Sequence, residues 1–104
     1  MSKNPTEINK VICQADFFIK KPEDNPLDSV SCIVWNSYYS HNQNPGFFAC
    51  SWDGYLRYYE IKEENYKRID KIWEYYYGHP VLSCTLNHHM VVMVGLANGD
   101  IYIT

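Results

Sequence analysis

The chain has 104 residues, with nine Lys or Arg against twelve Asp or Glu, for a net charge of −3. That is room for one small domain, and an acidic balance argues against a sequence-independent phosphate binder, which needs a basic face. Hydrophobic residues make up 46% and charged residues 20%, which favours a packed core over a disordered chain. No apolar run approaches the ~18 residues of a membrane-crossing helix, so no membrane partner is expected. Residues 1–10 are polar and lack the apolar stretch of a secretory signal. Aromatic residues reach 16%, ten of them Tyr, and such side chains suit pleated, half-buried surfaces.

Residues 1–27 read as an N-terminal arm, with a short strand over 16–20 carried by Phe17, Phe18 and Ile19. Pro22 and Pro26 with the polar residues between them break regular structure. Over 29–35, Val30, Cys32 and Val34 alternate with Ser31, Ile33 and Trp35. Both faces then carry apolar groups, which predicts a strand buried between stacked sheets. A polar loop over 36–46 is too long for a tight hairpin. Residues 47–52 are a strand again. Asp53-Gly54 then predicts a two-residue hairpin turn of the primed type, which requires positive φ. The return strand covers 55–61, a charged loop 62–67, and an aromatic fourth strand 68–77.

The second half repeats the first. Residues 81–86 mirror 30–35, residues 90–97 mirror the strand at 47–52, and Asn98-Gly99 mirrors Asp53-Gly54. Residues 101–103 begin the matching return strand. The offset is 51 residues from Val30 to Val81 and 45 from Asp53 to Asn98, the longer loop at 36–46 making most of the difference. Four-stranded units recurring at about 40–50 residues mark propeller blades.

Four cysteines, Cys13, Cys32, Cys50 and Cys84, include no Cys-x-x-Cys pair. They are expected to be small buried apolar side chains, with neither a zinc cage nor disulfides. His88 and His89 would point to opposite faces of a strand, so no metal site is expected there, and no cofactor is implied. No nucleophile elbow, phosphate loop or zinc-protease motif is present, and no enzymatic activity is expected.

The run Ser51-Trp52-Asp53-Gly54-Tyr55-Leu56-Arg57-Tyr58-Tyr59-Glu60 resembles the end of a WD repeat. Upstream, Pro22-Glu23-Asp24 and Asp28-Ser29-Val30-Ser31 resemble the opening of the WD-repeat family of the nuclear poly(A) mRNA export factor and its spindle-checkpoint relative. Tyr77-Gly78-His79-Pro80-Val81-Leu82 resembles the start of that family's second blade. The resemblance implies an all-β chain of WD-type β-propeller blades, with 28–77 the first and 78–104 a truncated second. That is about two of the family's seven blades, an incomplete ring. Departures accompany it. Pro26 occupies the place of the family's His, Tyr59 that of its strand Trp, and Asn98 replaces the turn Asp in the second unit.

The family implies a non-enzymatic scaffold in the nucleus and at the nuclear pore, with cytoplasmic shuttling. It acts in mRNA export by binding a nucleoporin peptide motif. The alternative setting is the mitotic checkpoint, with a checkpoint-protein peptide as partner. Trp52 is the expected partner-binding anchor, with Arg57 and Tyr58 beside it. Ser51, Asp53, Gly54, Asn98 and Gly99 are expected to shape the two turns. A further alternative is a Tyr-rich β domain stacking single-stranded RNA weakly, through Arg57, Lys67, Arg68 and Lys71 with Tyr58, Tyr66 and Trp73. An incomplete ring leaves blade faces and sheet edges open, so self-association of the isolated 104-residue chain is expected.

Overall fold

The computed structural model describes residues 19, 21–38, 43–63 and 68–104. They form seven strands: β1 (Val30–Asn36), β2 (Gly46–Ser51), β3 (Tyr55–Lys62), β4 (Arg68–Tyr76), β5 (Val81–Leu86), β6 (Val92–Leu96) and β7 (Ile101–Ile103). A single 3-10 turn, Pro22–Asp24, precedes them. The first sheet has the order β1-β2-β3-β4 and the second β5-β6-β7, and every neighbouring pair is antiparallel. The chain is all-β, as its aromatic and β-branched content predicts. The predicted strand over 16–20 lies outside the described residues except for Ile19, which makes a parallel bridge to Ile69 of β4.

The two sheets repeat each other in detail. In each, one extra residue bulges the first strand: the register shifts between Val30 and Cys32, and again between Val81 and Ser83. In each, the backbone N–H after the second strand reaches the carbonyl just before the first. Trp52 bonds Ser29, and Ala97 bonds Pro80, both at 2.9 Å. Each hairpin closes through a glycine in the left-handed region, Gly54 at φ 92° and Gly99 at φ 93°.

Those hairpins correct the predicted turn type. Gly54 N–H bonds the Ser51 carbonyl, and Gly99 N–H bonds that of Leu96. The loops are therefore three residues, Trp52-Asp53-Gly54 and Ala97-Asn98-Gly99. Met90 is the one non-glycine residue with positive φ among the described residues, so the two residues before each glycine keep negative φ. A right-handed turn followed by one left-handed glycine replaces the primed pair.

Pairing sorts the side chains onto faces. Cys32 opposes Cys50, Val34 opposes Phe48, Phe48 opposes Tyr58 and Cys50 opposes Leu56. Phe48, Cys50 and Leu56 join Val81, Cys84, Val92, Val94 and Leu96 in one buried cluster between the sheets, with Cys32, Val34, Tyr58, Tyr77 and Leu86 at its margin. The other face of β1 is open, with Ile33 61% and Trp35 58% exposed. The expectation that β1 is buried on both sides is thus corrected: the second sheet covers only its Cys32–Val34 face. Across β3 and β4 that outer face is tied to the arm, where the Tyr59 hydroxyl donates to the Asp24 carbonyl at 2.6 Å and Lys71 Nζ lies 3.6 Å from Asp24.

Two smaller differences follow from local bonds. Strand β6 starts at Val92 rather than at 90, because the Asn87 carboxamide oxygen accepts the N–H groups of His89 and Val91 and folds 87–91 into a tight loop. His88 and His89 therefore sit in a turn, with ring centroids 3.9 Å apart, instead of on opposite faces of a strand.

Candidate recognition site

Among the described residues, the β2–β3 turn is braced by several side-chain hydrogen bonds. Asp53 Oδ1 accepts the Tyr55 N–H at 3.1 Å, and Oδ2 accepts the Leu27 N–H at 3.0 Å. Arg57, four residues on, donates to both oxygens, at 3.2 and 2.7 Å. Its Nε donates to Glu74 of β4 at 3.1 Å. The Ser51 hydroxyl accepts the Asp53 N–H. Burial alone would raise the Asp53 carboxyl, but the Arg57 guanidinium and the Leu27 and Tyr55 N–H groups outweigh it and hold it at about 2. For Arg57, burial works to lower the guanidinium, and Asp53 beside it more than reverses this, so the group is raised.

This clamp ties three separate pieces to one turn: the arm through Leu27, the outer strand through Glu74, and the hairpin itself. Ser51 and Asp53 hold the turn through these bonds, and Gly54 supplies its left-handed residue. Asn98 does the same job more simply in the second unit. Its oxygen accepts the Asp100 N–H at 3.0 Å and its amide donates to the Asp100 carboxylate at 2.9 Å. Asn98 has no charge with which to recruit a guanidinium, and Tyr102 stands where the repeat would place Arg57.

Trp52 is the first residue of the braced turn and is 49% exposed. Its backbone is held and half its side chain is free, the condition of an anchor that loses little entropy on contact. Arg57 is placed differently from the expectation. Only 3% exposed, it is committed to Asp53 and Glu74 and braces the turn from beneath. Tyr58 is on the inter-sheet face, where its hydroxyl accepts from the Asn36 amide at 3.0 Å and its ring stacks on Trp73 at 6.0 Å. It lines a cleft of about 390 Å³ between the sheets, together with Phe48, Trp73, Leu86, Met90 and Val92. The cleft lies toward the Gly46 end of β2 and Trp52 beyond the Ser51 end, so the structure separates Trp52 from Tyr58.

The basic set proposed for RNA is neutralised where it is described. Arg57 faces Asp53 and Glu74, Arg68 faces Asp70, and Lys71 faces Asp24 and Glu74. Lys67 and Tyr66 lie outside the described residues.

Sequence reasoning missed one constellation. Cys32 of β1, Cys50 of β2 and Cys84 of β5 bring their three Sγ atoms within 4.8 Å of one another. Cys50 and Cys84 are buried, as expected of small apolar side chains, and Cys32 is half-buried. The Cys50 thiol is pushed up, first by its hydrogen bond to Cys84 and then by burial. Cys84 is lowered by the same bond, against the effect of burial. Cys13 lies outside the described residues. Spacing of 18 and 34 residues in the sequence carries no signal for this, because the cluster depends on strand register and on the docking of two sheets.

Comparison with known proteins returned no matching family model, no matching curated protein and no matching solved structure.

Proposed function

We propose that this chain is two adjoining blades of a WD-type β-propeller and works by non-covalent recognition of a peptide segment, with no chemical step. Trp52 is the anchor. The setting is nuclear mRNA export at the pore, and the peptide is a nucleoporin motif. The observation that carries the reading is the exposed Trp52 ring on a turn whose backbone is held by Ser29 and whose Asp53 is clamped by Arg57. Supporting it is the recurrence of bulge, turn and left-handed glycine in both sheets, as a repeated blade unit would require. The carboxylates facing Arg57, Arg68 and Lys71 favour this reading over RNA stacking.

The test is calorimetric titration of the chain with a nucleoporin-derived peptide, beside the Trp52→Ala variant. Loss of a half-exposed aromatic anchor weakens binding by about 2 kcal/mol, or roughly 30-fold, with little change in thermal midpoint. Unchanged affinity together with a lowered midpoint makes Trp52 a packing residue and defeats the reading. Selective binding of a checkpoint-protein peptide instead keeps the mechanism and moves its setting to the spindle checkpoint.

A further inference from the structure

We infer that Cys32, Cys50 and Cys84 form a three-sulfur site for monovalent copper, buried between the two sheets and stapling them together. The three Sγ atoms already lie within 4.8 Å of one another. With metal–sulfur bonds of about 2.3 Å, a planar trigon sets its sulfurs about 4.0 Å apart, so closure asks less than about 1 Å of contraction per pair. Small rotations about Cα–Cβ supply that.

The donor set selects the ion. It is all sulfur, with no histidine or carboxylate in the group. Soft thiolates favour Cu(I) and zinc among the biological ions. Structural zinc takes four donors, and this trio offers three in a wall of Phe48, Leu56, Val81, Val94 and Leu96. Cu(I) is satisfied by three. Loading replaces two thiol protons and releases them to solvent. The third sulfur ligates as a thiol, and the site carries one net negative charge. No oxidation change is involved.

Position supplies the rest. Cys32 and Cys50 oppose each other across β1 and β2 of the first sheet, and Cys84 comes from β5 of the second. The ion therefore bonds both sheets and stabilises their docking by mass action. Cys32, half-buried at the margin of the cluster, is the way in.

The experiment is an anaerobic titration of the reduced 104-residue chain with Cu(I) buffered by bathocuproine disulfonate, followed by the ultraviolet thiolate-to-copper band. One Cu(I) per chain, a shell of three sulfurs by X-ray absorption and a raised thermal midpoint are expected. Cys32→Val and Cys84→Val, close in volume, each weaken binding by at least about tenfold, and Cys13→Ser retains it. The proposal is overturned by a two-sulfur or mixed nitrogen–sulfur shell, by an unchanged midpoint on loading, or by equal loss in Cys13→Ser. X-ray absorption on the unaltered chain decides the matter even where a valine variant does not fold. Reduced protein that takes up no copper yet forms a Cys32–Cys50 disulfide in air also overturns it.

Discussion

Changing Asp53 to Asn removes the charge and turns one accepting oxygen into an NH2 donor, which at the Oδ2 position faces the Leu27 N–H and Arg57. The turn keeps an acceptor, as Asn98 demonstrates in the second sheet, where its oxygen takes the Asp100 N–H. What is lost is the ion pair beneath and the acceptor for the Leu27 N–H. The side chains of Arg57 and Asp53 are only 3% and 8% exposed, so solvent screens them weakly. The Asp53 carboxyl is held at about 2 against an ordinary 3.8. At about 1.36 kcal/mol per pH unit, that difference is worth roughly 2 kcal/mol at neutral pH. Stranding a buried cation costs about 3–5 kcal/mol when no partner remains. Here Glu74 still accepts from Arg57 Nε at 3.1 Å, which keeps the loss near the lower figure. Asp53→Asn is therefore expected to destabilise the chain by about 2–3 kcal/mol, lowering the thermal midpoint by about 10–15 °C. Because the folded carboxyl is depressed, its stabilisation is complete above the unfolded value of 3.8 and is lost as pH falls through about 2. The gap between parent and variant should be widest at neutral pH and close across that acid window. Urea unfolding followed by tryptophan fluorescence, repeated at stepped pH, measures both. A neutral-pH gap under about 0.5 kcal/mol, or a gap that does not change with pH, refutes the reasoning.

The two hairpin glycines share a conformation but not a neighbourhood, so they separate backbone strain from contact. A Cβ at Gly54 would meet the Tyr76 ring at 2.8 Å, and at Gly99 nothing lies within 4 Å. Gly99→Ala should cost about 1–2 kcal/mol of strain and Gly54→Ala about 1 kcal/mol more; equal losses by chemical denaturation contradict this. Ile33, Trp35, Ile101 and Ile103, each more than half exposed, leave apolar surface on the outer faces of both sheets. Sedimentation of the isolated chain at micromolar concentration should show a species larger than a monomer, and a single cooperative monomer removes the expectation.

Much of the architecture was legible before any coordinate. Strand positions follow from period-two alternation, which each residue's neighbours enforce locally, and they came out within a residue or two for β1, β2, β3, β4 and β5. The paired Asp53-Gly54 and Asn98-Gly99 steps located both hairpins, because only glycine enters the left-handed region without strain. Trp52 was nominated as a partner anchor by the resemblance of its Ser-Trp-Asp turn to a WD repeat, and its half-exposure in the structure is compatible with that proposal. Arg57 could not be placed. It reads as a surface cation, and its burial depends on Asp53 across the turn, Glu74 across a strand and the arm closing over both.

The amino-acid order thus determined the elements and their repetition, because alternation, turn chemistry and spacing are local properties. Only the tertiary structure decided which face of each strand is covered and which distant side chains meet. A single extra residue between Val30 and Cys32 resets the alternation, and its twin between Val81 and Ser83 does so again in the second sheet. Those bulges carry no sequence signature. They nevertheless put Cys32 opposite Cys50, turn Ile33 and Trp35 outward, and bring Cys84 across from the other sheet. Where side chains alternate every residue, a one-residue slip exchanges inside for outside, and only packing between the sheets selects the register.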